Sequence, residues 1–345
     1  EYACEKVYTN RDYEPYALTR DQFIFQELEK SNISFIGSKD HVIFEKNEVL
    51  KDNGLPYTIF TPYSRKWKAK LSDYFLKSYP STAYLSHLSK CAETSDCPSM
   101  EDLGFSDVQL FPFPERIVHD ELVRAYQENR DFPIKNGTSK LSVHLRFGTI
   151  SIRQLARQAH LNNETFLNEL IWRDFYQMII YHFPHSVNGS FKKQYDKIVW
   201  EHNEQHFKSW CEGKTGYPLV DAGMRELNKT GFMHNRVRMV VASFLTKHLL
   251  IDWRWGESYF AQKLMDFELA SNIGGWQWAA GCGCDAAPYF RVFNPTAQQE
   301  KFDKQKQYIQ KWVPEFGSSS YPEPIIDHAF ARDRVLTRFK QALND

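Results

Sequence analysis

From Glu164 onward apolar residues recur at intervals of three and four in four successive stretches, Glu164 to Tyr181, Leu219 to Leu227, His234 to Leu250 and Ser258 to Leu269. That period belongs to helices which each bury one face, so the second half of the chain is constrained to pack as a helical domain. The helical pattern sets in after Val108, and Asn162 or Asn163 stands where the helix from Glu164 needs an N-cap. The start differs. Two β-rich runs, Ile33 to Ile36 and His41 to Phe44, flank the turn Gly37-Ser-Lys-Asp40, and a helix is expected from Leu18 to Lys30. Two strands and one helix cannot cover both faces of a sheet, and residue 1 is Glu, so the sequence is expected to begin inside an α/β domain. Three parts follow: residues 1–50 as the C-terminal remnant of that domain, 51–107 as a connector rich in Pro, Gly, Ser and charge, and 108–345 as a large all-α domain.

Lys and Arg number 43 against 43 Asp and Glu, and hydrophobic residues make up 42%. This is the balance of a folded chain with a core, which excludes a disordered or collagen-like class. The apolar stretch from Met239 to Leu250 is broken by Ser243, Thr246, Lys247 and His248, and no run approaches the roughly 20 residues of a membrane span. Six Cys among 345 residues, and no basic segment followed by an apolar one at the start, read as a reduced, cytoplasmic protein. Cys282-Gly-Cys284 lacks both CxxC spacing and nearby His partners, so two buried thiols are expected there and no metal.

Aromatic residues reach 15%, and Trp253, Trp255, Trp276 and Trp278 fall close together. Three clusters stand out. On a helix Glu169, Trp172, Arg173 and Tyr176 share one face; taken alone, this is a Glu169–Arg173 surface ion pair beside core aromatics. Between Arg225 and His248 lie Arg225, Lys229, Arg236, Arg238 and Lys247 against the single acid Glu226, a positive field suited to phosphate. A solvated basic face is the alternative, but Met233, Asn235 and Met239 interleave the cations as a base-reading groove needs. In the third cluster Asp266, Glu268 and Asn272 precede Gly274-Gly275, Trp276 and Trp278. The glycine pair either lets the backbone approach something flat or ends a helix. No Gly-rich run precedes Lys-Ser/Thr, so no phosphate loop is present, and the twelve scattered His form no nucleophile arrangement.

In register, Thr138-Ser-Lys-Leu-Ser142, Phe147-Gly-Thr-Ile-Ser151, Asn168-Glu-Leu-Ile-Trp-Arg173, Lys214-Thr-Gly-Tyr-Pro-Leu-Val-Asp221, His234-Asn-Arg-Val-Arg238, Gly274-Gly-Trp-Gln-Trp278 and Phe293-Asn-Pro-Thr296 closely resemble the cryptochrome/photolyase family. Within it the resemblance is to class I cyclobutane pyrimidine dimer photolyases, and it runs from Val7 to about Phe339. It implies a photolyase-like fold, an α/β remnant plus a large all-α FAD-binding domain. It also implies light-driven splitting of pyrimidine dimers by electron transfer from excited reduced FAD. The family's flavin contacts fall on Tyr126, Thr138, Ser139, Lys140, Leu141, Ser142, Arg238, Asp266 and Asn272. Of these, the 138–142 segment would serve the diphosphate, Arg238 and Asp266 the isoalloxazine edge, and Asn272 flavin N5. Glu268 stands where relatives usually carry Asp, which adds a methylene beside the flavin.

The same resemblance places the lesion pocket on Glu169, Trp172, Asn235, Arg236, Met239 and Trp278, with Arg173 beside them, and DNA-backbone contacts on Arg130 and Gln298. The implied partner of this monomer is double-stranded DNA containing a pyrimidine dimer, a lesion cheap to flip out because it stacks and pairs poorly. Glu169 would stabilise charge that develops on the dimer, and Trp276, Trp253 and Trp200 match a relay that reduces oxidised flavin from the surface. A second, antenna chromophore stays open, because most of its site would lie on opening strands expected to precede Glu1. The alternative reading is a cryptochrome-type flavin photosensor acting through a protein partner; Asn272, Glu169 and the Trp172/Trp278 pair favour repair. A six-four photolyase fits less well, since Asn235-Arg236 occupies the region where that group carries its own histidine pattern.

Overall fold

The computed structural model describes residues 4–88, 97–106 and 113–344, so the start of helical patterning at Val108 lies outside the described residues. The chain opens with β1 (Lys6–Asn10), crosses through α1 (Pro15–Glu29) and returns as β2 (Ser34–Ser38), parallel to β1 with Lys6 opposite Ser34 and Asn10 opposite Ser38. A parallel pair needs such a crossover. β1 falls in the polar opening, where one short alternation of Val and Thr among charged residues carries little pattern. The run His41 to Phe44 forms no strand, contrary to expectation. Its backbone instead turns to a carboxylate, with Ile43 N and Phe44 N each 3.1 Å from Asp174 Oδ2.

Asp174 sits on α4. Ahead of it come α2 (Phe60–Lys70) and α3 (Ile152–Asn162), followed by α4 itself (Glu164–His182), which is capped by Asn163 accepting from Phe166 N at 3.0 Å. Ile43, Phe44, Val49, Tyr63 and Trp67 are buried with Leu155, Phe166 and Phe175 in one core, and Trp67 Nε1 reaches the same Asp174 oxygen at 2.9 Å. Burial pushes Asp174 up to about 6, while these donors favour the carboxylate.

Helices farther along the chain build a second core, among them α5 (Glu204–Glu212), α6 (Pro218–Thr230), α7 (Asn235–Ser243), α8 (Trp253–Lys263), α9 (Leu269–Ala280), α10 (Pro295–Phe302) and α11 (His328–Asn344). Trp210, Val237, Val241, Leu245, Trp253, Phe260, Trp276, Val335 and Phe339 fill its interior. Two of the expected continuous helices are divided. α7 passes into a π-helical turn over Phe244–His248 and leaves it at Leu250 with φ +54°, and α8 stops at Lys263, so that the extended backbone of Leu264 carries the chain toward Asp266 and Glu268. α9 packs against α4, α7 and α8 and thereby faces both cores. Among the described residues no helix is long and apolar enough to cross a membrane.

Candidate cofactor and substrate cavity

A cavity of about 520 Å3 lies between the two cores, lined from one side by Leu155, Phe166 and Leu170 and from the other by Met233, Ala242, Phe260 and Trp276. Its size is that of a site for a sizeable organic ligand. One wall is the segment Thr138 to Ser142, which enters a short helix, Ser142–Arg146. Lys140 adopts φ +54°, Leu141 N approaches Ser139 Oγ at 3.4 Å, and Leu141 is buried as the anchor of the turn. A left-handed turn with three hydroxyls and a lysine beside it is a natural concavity for an anion. Tyr126 borders it, its ring edge-on to Phe166 at 4.9 Å.

Across the cavity Arg238, from α7, grips Asp266 with one nitrogen 3.1 and 2.9 Å from the two carboxylate oxygens, and its Nε donates to Met233 O at 2.7 Å. Asn272 donates from Nδ2 to the Glu257 side chain at 2.9 Å and to its backbone oxygen at 3.1 Å. The amide oxygen is therefore the end left for a ligand. Phe232, Met233 and Leu264 add apolar surface to the same cavity.

The charges do not pair as helix spacing suggests. Arg173 turns to Glu268, at 2.9 Å, and Glu169 pairs with Arg130, so the Glu169–Arg173 ion pair is not formed. Glu268 also meets His41 Nε2 at 3.3 Å and accepts from Ser271 Oγ. Although burial opposes ionisation, Arg173 and His41 hold the Glu268 carboxyl well below the usual range. The longer side chain thus ties the cavity wall to the loop after β2. With its side chain 10% exposed and its charge answered by Glu268, Arg173 lines the cavity beside Glu169 and Trp172. Burial pushes the Glu169 carboxyl up, and Arg130 opposes that rise.

Glu169, Trp172, Asn235, Met239 and Trp278 line the same cavity as Thr138 to Ser142, Asp266 and Asn272. One face of Trp172 is covered by Phe60, stacked at 3.8 Å and 2°, which leaves only the rest of the indole for a ligand. Arg236 and Gln298 lie off the cavity wall. Arg236 pairs with Asp131 at 2.7 Å with its guanidinium 4.4 Å from the Phe302 ring, and Gln298 is half-buried on α10. Of the three relay tryptophans only Trp276 reaches the cavity; Trp253 is buried and Trp200 is partly exposed. Cys282 and Cys284 are buried free thiols.

The glycine pair resolves into two functions. α9 runs through it and ends at Gly281, with φ +90°. A Cβ at Gly274 would lie 2.3 Å from the Tyr176 ring, whereas one at Gly275 would meet nothing within 4 Å, because that position opens into the cavity. Phe60, Phe232 and Ser271 escaped the motif reading, since each enters the site only through tertiary packing. The donor set fits a flavin dinucleotide: a hydroxyl-rich anion turn, an apolar stretch, and an ion pair with an oriented amide at the far side.

Comparison with known proteins agrees with this fit. A family model described as the FAD binding domain of DNA photolyase matches residues 166–320, and one described as DNA photolyase matches residues 1–83. The deoxyribodipyrimidine photo-lyase of Vibrio cholerae is 38% identical over 372 aligned positions, covering 98% of this chain and 79% of its own. The crystal structure of a bacterial class III photolyase from Agrobacterium tumefaciens superposes with a TM-score of 0.84 at 31% identity, covering 99% of this chain and 80% of that one. An archaeal photolyase from Sulfolobus tokodaii, solved with two FAD molecules, gives a TM-score of 0.77 at 34% identity, covering 98% and 79%.

Proposed function

Because this chain belongs to the DNA photolyase family, we propose that it is a deoxyribodipyrimidine photo-lyase that splits cyclobutane pyrimidine dimers in double-stranded DNA, with FAD held between its two cores. The observation that carries this reading is the sharing of one cavity by the anion turn, the Arg238–Asp266 pair and Asn272 on one side and Glu169, Trp172, Asn235, Met239 and Trp278 on the other. Bound and reduced, FAD supplies the light-excited electron that opens the dimer.

The residues divide the remaining work. Thr138, Ser139 and Ser142 hydroxyls with Lys140 hold the diphosphate, and Tyr126 and Leu141 bound the pocket. Arg238 and Asp266 orient the ring system, and Asn272, its NH2 occupied by Glu257, offers its oxygen to a ring N–H. Trp278 and the open part of Trp172 receive the flipped pyrimidines, and Asn235 and Met239 complete that wall. Glu169 donates or accepts a hydrogen bond at the dimer edge; its raised pKa and the partner charge on Arg130 suit a group that must stabilise transient charge away from water. Arg130, Arg236 and Gln298 meet the DNA backbone. Trp276 is the inner end of the relay that, with Trp253 and Trp200, delivers electrons from the surface.

The test is an absorption spectrum of the purified protein followed by blue-light repair of ultraviolet-irradiated oligothymidine with the flavin chemically reduced. The expected results are flavin absorbance and loss of dimers. A protein loaded with reduced flavin that leaves every dimer intact would overturn the repair reading in favour of a photosensor.

A further inference from the structure

The aromatic rings around Trp276 lead away from the cavity in a direction the motif reading does not contain. Trp276 is 2% exposed, and its ring neighbours are Phe260 at 5.0 Å and Trp210 at 6.0 Å. Among the described residues no ring contact joins Trp276 to Trp253. Trp210 is fully buried, and its ring centre lies 5.7 Å from that of Tyr259, which is partly exposed on α8. Two short steps therefore connect the cavity wall to a phenol at the surface. Electron hopping slows steeply with distance, so such contacts matter.

Charge favours the same direction. A tryptophan that gives up an electron becomes a cation. The Arg254 guanidinium stands 4.9 Å from the Trp253 ring and repels a second positive charge there; Asp252, 2.9 Å from Arg254, relieves this in part. Among the described residues no cation stands over the Trp210 ring, and its Nε1 donates to Val241 O at 3.1 Å, a carbonyl dipole that stabilises a positive indole. Tyr259 can end the chain without holding charge, by releasing its phenolic proton. Burial and Cys211 push that phenol up to about 12, so it is protonated at rest. Lys263 Nζ, 5.6 Å from the ring, favours loss of the proton once the electron has gone.

We propose that Trp210 and Tyr259 form a second branch of the electron relay, forking at Trp276 and ending in a neutral tyrosyl radical on Tyr259. The proposal rests on reading the cavity as the flavin site. Trp276 loses one electron to light-excited oxidised flavin, Trp210 refills Trp276, and Tyr259 refills Trp210. In sum the flavin gains one electron, while Tyr259 loses one electron and passes its hydroxyl proton, first shared with Asn228 Oδ1 at 2.6 Å, to solvent. An external thiol then returns a hydrogen atom to Tyr259.

The experiment uses the full chain loaded with oxidised FAD, grown with unlabelled or ring-deuterated tyrosine, illuminated without thiol, frozen and examined by electron paramagnetic resonance. The expected spectrum contains a tyrosyl signal that narrows on deuteration and is lost in Tyr259→Phe and in Trp210→Phe. Tyr259→Phe removes one hydroxyl from a partly exposed ring, and unchanged circular dichroism and flavin content verify that the variant is folded. A wild-type spectrum with no tyrosyl signal, or a signal that survives in Tyr259→Phe, overturns the branch while leaving the flavin site intact. A wild-type chain that takes up no FAD overturns both.

Discussion

Alanine at Gly275 separates the stability of α9 from its role as a ligand wall. Both Gly274 and Gly275 lie inside the helix, where Ala is favoured over Gly by about 1 kcal/mol. At Gly275 nothing within 4 Å opposes the new methyl, so the FAD-free protein gains about 0.5 to 1 kcal/mol and its Tm rises by about 1 to 3 °C. On the proposed reading, FAD seated against this wall would have to withdraw from the new methyl by about the 1.5 Å of a C–C bond. Overpacking of that kind costs about 1 to 3 kcal/mol, which raises the Kd for FAD by about 5- to 150-fold. Gly274→Ala is the contrast. Its methyl, 2.3 Å from the Tyr176 ring, costs more than helix propensity returns, and the Tm of the stripped protein falls. The measurements are thermal unfolding of FAD-stripped protein and titration with FAD followed by flavin fluorescence. A stabilised Gly275→Ala with unchanged FAD affinity would refute the placement of the ligand against α9, and a destabilised one would refute the open wall itself.

Glu169→Ala removes a charge-assisted hydrogen bond worth about 1.5 to 3 kcal/mol, so repair yield with chemically reduced flavin drops by about tenfold or more; an undiminished yield on irradiated oligothymidine would remove Glu169 from the mechanism. Arg236→Ala lowers the slope of log K against log salt for dimer-containing duplex by about one unit, and a slope equal to the parent's would mean that Arg236 touches no phosphate. Stability depends on two buried histidines. Burial lowers His234 to about 4 and His248 to about 3, from an ordinary 6.5. The unfolded chain then binds protons that the folded chain refuses, so stability is complete above pH 6.5 and declines as pH falls toward those values, by at most about 1.4 kcal/mol per pH unit for each histidine. Denaturant unfolding at pH 7.5 and pH 5 measures this, and equal midpoints would contradict it.

Local chemistry was legible in the chain itself. The three-to-four spacing marked α4, α6 and α7, Asn162 or Asn163 offered the cap, and the 138–142, 234–238 and 274–278 motifs, read in register, supplied Thr138 to Ser142, Asn235, Arg238, Gly275, Trp276 and Trp278 of the cavity lining. Such features depend on neighbours a few positions apart. The pairing of charges does not. An exposed i,i+4 ion pair contributes only a few tenths of a kcal/mol, too little to hold Glu169 and Arg173 together once folding brings Arg130 and Glu268 within reach. Likewise His41 to Phe44 has the composition of a strand, yet among the described residues no strand pairs with it and Asp174, 130 residues from Phe44, takes its backbone donors. The order of rings from Trp276 to Trp210 and Tyr259 follows from how α5, α8 and α9 meet. Periodicity and caps are written into the sequence because a helix is held by contacts within one or two turns; ion pairs, ring contacts and cavity walls are decided by tertiary structure because they join residues whose separation in space the local pattern does not encode.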